Sequence, residues 1–289
     1  MSNFHTFTLG DLTCTSLSDF AFERTPRATF PRIDPVELQK EIEAGNYGIE
    51  LDTPMPLHGV VLLIDSGQQK IMIDSGLPSS RGGQLLSNLD AAGVAAAEID
   101  LIIVTHGDGD HIGGLGNYPN AQIVLPSNSY DLWTKDTDGM VEEFIKLFRG
   151  VVSEQELAQQ AAGRRVYPDK LLALNEEGRI RLVEPAEEIV PGICFISAPG
   201  HRRDHMAVEI RSGDAALLHV ADAFRHAIQL KRHDFYCLFD SYPDILAESM
   251  VMLLDEAAES NAIVFGAHFE FPALIKIAKH EAGYEWIEM

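Results

Sequence analysis

Residues 105–114 read Thr-His-Gly-Asp-Gly-Asp-His-Ile-Gly-Gly and follow directly on the apolar run Leu-Ile-Ile-Val at 101–104. The run predicts a buried strand, so the polar residues lie in the loop that leaves its carboxyl end. Gly107 and Gly109 favour a tight coil in which alternate side chains converge on one point. Two imidazoles and two carboxylates this close together would repel one another or hydrogen-bond poorly without a cation between them. The stretch therefore predicts a metal site.

Composition and charge exclude several classes of protein. The chain has 289 residues, 46% of them hydrophobic, which is enough for a large core. Its formal net charge of −22 argues against sequence-independent binding of nucleic acid, which needs a surplus of lysine and arginine. No apolar run reaches the length of a membrane span, and the amino terminus lacks a signal-peptide pattern. The three widely spaced cysteines give no disulfide framework, so we expect a cytoplasmic protein. We expect its partner to be a small-molecule substrate.

Strand-rich stretches followed by helices occur in the first half of the chain. The predicted elements are a hairpin over 7–17 with its turn at Gly10-Asp11, a hairpin over 60–73, a helix at 82–93, strands at 99–104 and 122–125, and helices at 127–134, 139–148 and 153–161. Residues 20–58 contain five prolines and predict an irregular segment with one helix near 35–44. A segment of this length is typically functional or mobile, so we expect a lid over the site or a dimer contact.

The same order recurs in the second half. The predicted elements are strands at 180–183, 193–197, 206–210 and 215–219, a helix at 243–259, a strand at 262–265 and a helix at 272–281. No linker or charge block divides the two halves. The pattern predicts one domain over residues 1–289, of the α+β class, with two β-sheets packed together and helices outside.

Three further polar groups lie just past the ends of apolar strands in the second half. They are His201 after the strand at 193–197, Asp222 after the strand at 215–219 and His268 after the strand at 262–265. Each alone is a weak signal, because a single histidine after a strand is more often an ordinary surface residue. Strand ends along one edge of a sheet can meet in space, so together with the opening loop these groups indicate one shared site.

The combined pattern resembles the metallo-β-lactamase superfamily, whose His-x-His-x-Asp-His motif corresponds to residues 106–111. The resemblance runs nearly the full length and includes Phe7–Asp11, Ile73–Gly76, Ala198–His201 and Ala267–Pro272. These stretches are most similar to the branch of methyl-parathion-hydrolase-like and acyl-homoserine-lactonase-like enzymes. The resemblance implies a four-layer αβ/βα sandwich of two mixed sheets, with a two-metal site at one edge of the sheets.

The resemblance also implies a set of ligands. One ion would be held by His106, Asp108 and His201, and the other by Asp110, His111 and His268. Asp222 would bridge both ions beside a hydroxide. Asp74 matches an aspartate that orients a ligand imidazole, and His205 matches a position that is usually not a ligand.

The implied cofactor is a pair of divalent ions, with zinc as the expected metal. Such a pair lowers the pKa of a shared water from 15.7 to about 7, so that a bridging hydroxide attacks the substrate. Asp110 and Asp222 are the residues assigned to catalysis. No protein nucleophile is needed, and the chain has no Gly-x-Ser-x-Gly motif.

Asp108 departs from the family pattern, in which most members have histidine. If Asp108 binds, three carboxylates face the four positive charges of two ions, where the usual two would leave a larger positive excess. The extra anion would make the bound water less acidic and the metals weaker Lewis acids, and the hard oxygen donor favours manganese or iron over zinc. The alternative is that Asp108 misses the metal and leaves the first site weak.

These observations predict a metal-dependent hydrolase of a small ester, lactone or phosphoester. The alternatives are a non-hydrolytic di-iron oxidoreductase of the same fold, suggested by Asp108, and a degenerate member that binds metal without turnover. The branch suggests a homodimer. Arg202 and Arg203 would either grip a carboxylate or phosphate of the substrate, or lie in a solvated loop or form salt bridges with surface acids. Phe224, Arg225 and His226 are candidates for the pocket wall.

Overall fold

The computed structural model describes residues 3–185, 187–281 and 283–289 and contains two seven-stranded sheets. The first sheet has the order β1-β2-β3-β4-β5-β6-β7 and the second the order β14-β13-β12-β11-β10-β9-β8. The strands of the first sheet are β1 (Phe4–Leu9), β2 (Leu12–Arg24), β3 (Met55–Asp65), β4 (Lys70–Ile73), β5 (Leu101–Ile103), β6 (Gln122–Pro126) and β7 (Ile180–Val183). Those of the second are β8 (Glu188–Val190), β9 (Ile193–Ser197), β10 (Met206–Ser212), β11 (Ala215–Ala221), β12 (Ile263–Gly266), β13 (Leu274–His280) and β14 (Gly283–Glu288).

The first sheet has two different faces, because side chains alternate along each strand. In β3, Leu62 lies in the core shared with the second sheet, whereas Leu63 lies in a cluster on the other face. In β5, Ile103 and Ile102 divide in the same way. A slip of one residue would exchange the two faces, so the burial of both apolar sets specifies the register.

Helices lie outside the sheets, and several of them cover the outer faces. They are α1 (Pro26–Thr29), α2 (Pro35–Gly45), α3 (Leu85–Ala91), α4 (Gly109–Ile112), α5 (Ser127–Lys135), α6 (Thr137–Phe148), α7 (Glu154–Arg164), α8 (Tyr167–Glu176) and α9 (Pro243–Glu259). Leu89 of α3, Trp133 of α5 and Leu171 of α8 pack in the outer cluster of the first sheet, and Leu253 of α9 packs in the core of the second. The predicted α+β sandwich with two mixed sheets is confirmed. None of these helices is long and apolar enough to cross a membrane.

The helix predicted at 272–281 is wrong. Residues 274–280 form β13, which pairs antiparallel with β12 on one side and β14 on the other. Leu274, Ile275 and Ile277 are apolar at spacings that suit a helix as well as a strand. Backbone hydrogen bonds to two neighbouring strands, which the local pattern does not reveal, decide between them. Helix α8 was not predicted, although α9 begins and ends at the predicted residues.

The segment 20–58 is more regular than predicted at both ends. β2 continues to Arg24 and β3 begins at Met55, and the two pair from Phe20↔Gly59 to Arg24↔Met55. Between them, α1 and α2 pack on a small separate core that includes Phe30, Leu38 and Phe235. The helix predicted near 35–44 is confirmed as α2.

One edge of the sandwich collects the strand ends that carry the polar motifs. β4 runs parallel to β5, and β11 runs parallel to β12, so their carboxyl ends point the same way within each sheet. β9 and β11 are both antiparallel to β10 and therefore share a direction. Two backbone hydrogen bonds join the halves beside these ends, from Val60 N to Ala267 O at 2.8 Å and from Met206 N to Thr105 O at 3.0 Å. The site thus forms between the two halves.

Leu62→Ala should lower the free energy of unfolding by about 2–5 kcal/mol, because it leaves a cavity between the sheets where Leu62 is 0% exposed. Leu182→Ala is the matched control, since this strand leucine is 43% exposed, and should cost less than about 0.5 kcal/mol. Urea unfolding followed by circular dichroism measures both. Equal losses would contradict the assignment of the inner face.

Candidate metal centre

The loops after β5, β9, β11 and β12 bring all seven predicted ligands to one place. Their donor atoms form three overlapping groups, in each of which the atoms lie within 4.8 Å of one another. The groups are His106, Asp108 and His201; His106, His111 and Asp222; and Asp110, His111 and His268. This arrangement matches the two predicted ligand sets with Asp222 between them, while ligation itself stays a prediction. The set of His106, Asp108 and His201 is called the first half-site, and the set of Asp110, His111 and His268 the second.

Each of the four histidines has its Nδ1 atom engaged and its Nε2 atom directed to the centre. The Nδ1 partners are Thr105 Oγ1 for His106 at 3.1 Å, Asp74 Oδ2 for His111 at 2.7 Å, Asp240 Oδ1 for His201 at 2.9 Å and the His58 carbonyl for His268 at 2.6 Å. Such partners fix the tautomer and the ring orientation of metal-binding histidines. The Nε2 lone pairs are therefore left to face the same small volume.

Four of the atoms that face this volume lack hydrogen-bond partners, whereas His268 Nε2 contacts Asp222 Oδ2 at 3.1 Å. Among the described residues, the buried Nε2 atoms of His106, His111 and His201 and the buried Oδ1 of Asp222 make no hydrogen bond. His111 Nε2 and Asp222 Oδ1 lie 3.2 Å apart, but without the alignment that a hydrogen bond requires. An unsatisfied buried polar group costs about 1–3 kcal/mol, so four such atoms at one point need an explanation. Divalent ions would satisfy all four, and the donor set fits them.

Two residues with strained backbone place the aspartates. Asp74 and Ala221 have φ values of 67° and 47°, which non-glycine residues rarely adopt. The Asp74 carboxylate accepts hydrogen bonds from Thr105 N and Thr105 Oγ1, both at 2.8 Å, as well as from His111. Ala221 lies at a register irregularity at the end of β11 and immediately precedes Asp222. The strain is thus located where the chain turns a carboxylate towards the centre.

Gly107 and Gly109 have a different role from the one predicted. Neither is among the described glycines with positive φ. A Cβ atom at position 107 would come within 1.7 Å of the Trp133 indole, and one at position 109 within 2.5 Å of the Tyr167 hydroxyl. The glycines are required because Trp133 of α5 and Tyr167 of α8 pack directly against positions 107 and 109.

Asp108 lies in contact with two arginines. Arg164 Nη2 donates to Oδ1 at 2.7 Å, and Arg202 donates to Oδ1 from Nε at 3.1 Å and to Oδ2 from Nη2 at 2.5 Å. Burial raises the pKa of Asp108, but these guanidiniums hold it well below its usual range. Oδ2 also lies 3.5 Å from His201 Nε2 and 3.9 Å from His106 Nε2. Asp108 is therefore a carboxylate that faces the first half-site.

The arginines after His201 form ion pairs within the protein. Arg202 is engaged with Asp108, while Arg203 pairs with Glu143 at the surface and donates to Tyr242 Oη at 2.7 Å. The surface salt-bridge alternative therefore holds for Arg203, whereas Arg202 pairs with the buried carboxylate of Asp108 rather than with a surface acid.

Arg225 and Asp240 form a network that the sequence pattern did not reveal. Arg225 Nη2 donates to Asp222 Oδ2 at 2.6 Å, and its Nη1 donates to Asp240 Oδ1 at 3.2 Å. Asp240 is fully buried and also anchors His201. It lies in a loop without a motif, so no sequence signal could have identified it.

The other pocket candidates occupy different surroundings. Phe224 is fully buried in the core of the second sheet. His226 faces Tyr47 edge to ring, and burial lowers its pKa to about 4. His205 accepts a hydrogen bond from Asp222 N at 3.0 Å and contacts the Ala198 carbonyl at 2.7 Å through Nδ1, as expected for a residue that is not a ligand.

A cavity of about 420 Å³ opens onto the centre. Its lining combines apolar side chains, such as Phe20, Phe22, Leu57 and Phe239, with many polar and charged ones, such as Arg81 and Tyr167. Phe20, Phe22 and Leu57 belong to the segment predicted as a lid, and they form one wall of the cavity. A pocket of this size and mixed lining suits a small molecule with both polar and apolar parts.

Two sheets that present histidines and aspartates at their shared edge define a class of metal-binding αβ/βα sandwich proteins. Residues 54–268 match the model of the metallo-beta-lactamase superfamily, and the chain belongs to that superfamily. The resemblance found in the sequence is thereby confirmed.

Relatives by sequence include a probable metallo-hydrolase of Mycobacterium tuberculosis, 26% identical over 145 residues, which are 48% of this chain and 41% of that protein. Human metallo-beta-lactamase domain-containing protein 1 is 38% identical over 91 residues, 32% of this chain and 30% of that protein. The chain therefore spans less than half the length of these relatives.

Solved structures share the fold over the whole chain. The dizinc quorum-quenching lactonase AidC superposes with a TM-score of 0.85 at 24% identity, covering 100% of this chain and 98% of that one. The hydrolase AbOPH superposes with a TM-score of 0.84 at 20% identity and the same coverage. At these identities the likeness shows that the fold is shared.

Asp240→Asn should weaken zinc binding by about 10–100-fold, because it removes the carboxylate that orients His201. Competition with a chromophoric chelator measures the affinity. Asp234→Asn, in the same loop but exposed, is the control and should bind as the wild type does. Unchanged affinity in folded Asp240→Asn protein would show that His201 needs no such support.

Proposed function

We propose that this protein is a metal-dependent hydrolase of a small ester, lactone or phosphoester, with two divalent ions, zinc by preference, at its centre. The observation that carries the proposal is the set of four histidines anchored through Nδ1, whose Nε2 atoms converge with three carboxylates at the cavity floor. Two such ions would supply a hydroxide nucleophile at neutral pH and polarise the substrate oxygen.

The protein's own residues divide the remaining work. His106, Asp108 and His201 would hold one ion, Asp110, His111 and His268 the other, and Asp222 would bridge them. Asp110 is the most exposed of the three carboxylates, with 26% of its side chain accessible against 12% for Asp108 and 3% for Asp222. It also lines the cavity, so it is placed to exchange a proton with substrate or water.

The cavity supports a substrate of modest size with an apolar part. The aromatic wall from Phe20, Phe22 and Phe239 would hold such a part while the scissile group reaches the floor. The lactonase among the structural neighbours makes lactones the first substrates to test. The cytoplasmic location and the homodimer stay predictions.

The oxidoreductase alternative rests on Asp108, whose hard oxygen donor favours iron over zinc. Because Arg164 and Arg202 pair with this carboxylate, the substitution of aspartate for histidine brings positive charge with it. The arginines therefore offset the charge of the extra anion, whereas the oxygen donor remains, and analysis for zinc and iron distinguishes the two functions.

Elemental analysis of protein purified without chelators should find close to two ions per chain. A panel of lactone, aryl ester and phosphotriester substrates should show hydrolysis of at least one class, lost on treatment with a chelator and restored by zinc. Protein stripped of metal and then incubated in buffer alone is the control. Folded protein that binds no divalent ion, or hydrolysis that survives complete metal removal, would disprove the proposal.

Asp222→Ala should lose both ions and all hydrolysis, because this carboxylate lies between the two half-sites. Asp214→Ala is the control, since Asp214 is an exposed aspartate at the turn before β11. Metal content is measured after dialysis, with circular dichroism to verify folding. Retention of two ions by folded Asp222→Ala protein would rule out a bridging role.

A further inference from the structure

Two pairs of adjacent arginines flank the metal centre, and the members of each pair face different ways. Arg164 and Arg202 turn inward to Asp108, and only 12% of each side chain is exposed. Their neighbours Arg165 and Arg203 bond surface acids, and 50% and 60% of their side chains are exposed. In a chain of net charge −22, with many surface acids to pair with, two buried arginines on one carboxylate indicate a specific role.

Both inward arginines are themselves held in place. Arg202 Nη1 donates to the His201 carbonyl at 2.7 Å and to Ser241 Oγ at 3.0 Å. The Arg164 guanidinium lies 3.9 Å from the centre of the Phe144 ring. Their N–H groups therefore approach Asp108 from fixed directions.

These contacts leave the Asp108 carboxylate one free acceptor position with which to bind an ion. A carboxylate offers about four acceptor positions, two on each oxygen. Oδ1 accepts from both Arg164 and Arg202, whereas Oδ2 accepts from Arg202 alone. The remaining position is on Oδ2, the oxygen that lies 3.5 Å from His201 Nε2 and 3.9 Å from His106 Nε2.

We propose that Arg164 and Arg202 are positioning residues of the first metal site, which hold Asp108 so that Oδ2 faces the ion and supply the charge that makes aspartate acceptable there. The inference rests on the metal centre of the proposed function. Together, one aspartate and its arginines replace the neutral imidazole found at this position in most of the family.

The arrangement has a consequence for substitutions at position 108. Asp108→His restores the usual family motif but leaves two buried guanidiniums without an anion, next to a divalent cation. Repulsion between these cations should weaken the first site. Removing the arginines in that background should then strengthen it, although removing them beside Asp108 weakens it.

The first test compares inward and outward arginines. Arg164→Gln and Arg202→Gln should each weaken zinc binding at the site of His106, Asp108 and His201 by at least about tenfold, as is typical when a group that orients a ligand is lost. The matched controls Arg165→Gln and Arg203→Gln remove the same charge one residue away and should change the affinity less than about twofold. Chelator competition gives the affinities, and the visible spectrum of the cobalt-loaded protein reports the coordination of the first site.

The second test asks whether removal of the arginines, which weakens zinc binding beside Asp108, strengthens it when histidine replaces Asp108. Asp108→His should bind zinc at the first site more weakly than wild type does. The triple variant Asp108→His, Arg164→Gln, Arg202→Gln should bind zinc at this site more tightly than Asp108→His alone. A purely structural role for the arginines would instead make the triple variant weaker still. This comparison remains decisive if the single arginine variants fail to fold.

The outcomes separate the two proposals. Wild-type protein that binds no ion would disprove the metal centre itself. Wild-type protein with two ions, together with inward variants that behave like the outward controls, would overturn only the positioning role.

Discussion

The rest of this structure depends on one constraint, a buried cluster of imidazoles and carboxylates whose hydrogen-bonding atoms cannot all pair with one another. Burial lowers the pKa of His106 well below its usual range, whereas at His111 the carboxylates of Asp74, Asp110 and Asp222 outweigh burial and hold the pKa well above it. Without a cation, a proton on His111 would balance these acids. Divalent ions would displace it, because an imidazole must be neutral to bind metal. The strained turns at the strand ends hold the donors together despite this conflict.

The arginines around the centre change the electrostatic effect of Asp108. In the sequence motif alone, Asp108 adds an anion and lowers the positive charge of a two-metal site. In the folded protein Arg164, Arg202 and Arg225 each contact a candidate ligand carboxylate. The local charge is therefore set by groups from α7, the loop after β9 and the loop after β11 together, and the identity of position 108 alone does not predict the metal.

Local patterns predicted the fold wherever one periodicity was unambiguous. The apolar runs of β3 and β5 specify strands, and residues 243–259 have the spacing of an amphipathic helix with proline at its start. Residues 274–280 satisfied both periods, and pairing with β12 and β14 made them a strand. The pairing of β2 with β3 also extended regular structure into a proline-containing segment predicted to be irregular.

The sequence by itself determined which polar side chains lie together at one edge of the sandwich, because the motif residues and the three isolated groups all follow the ends of apolar strands. Only the tertiary structure decided how those side chains are supported. Asp240 and Arg164 lie in stretches without a motif and reach the centre through packing of distant loops and helices. Gly107 and Gly109 look like flexible turn residues in the sequence, but they are required because Trp133 and Tyr167 pack against them. Contacts between residues far apart in the chain have no local pattern from which they could be predicted.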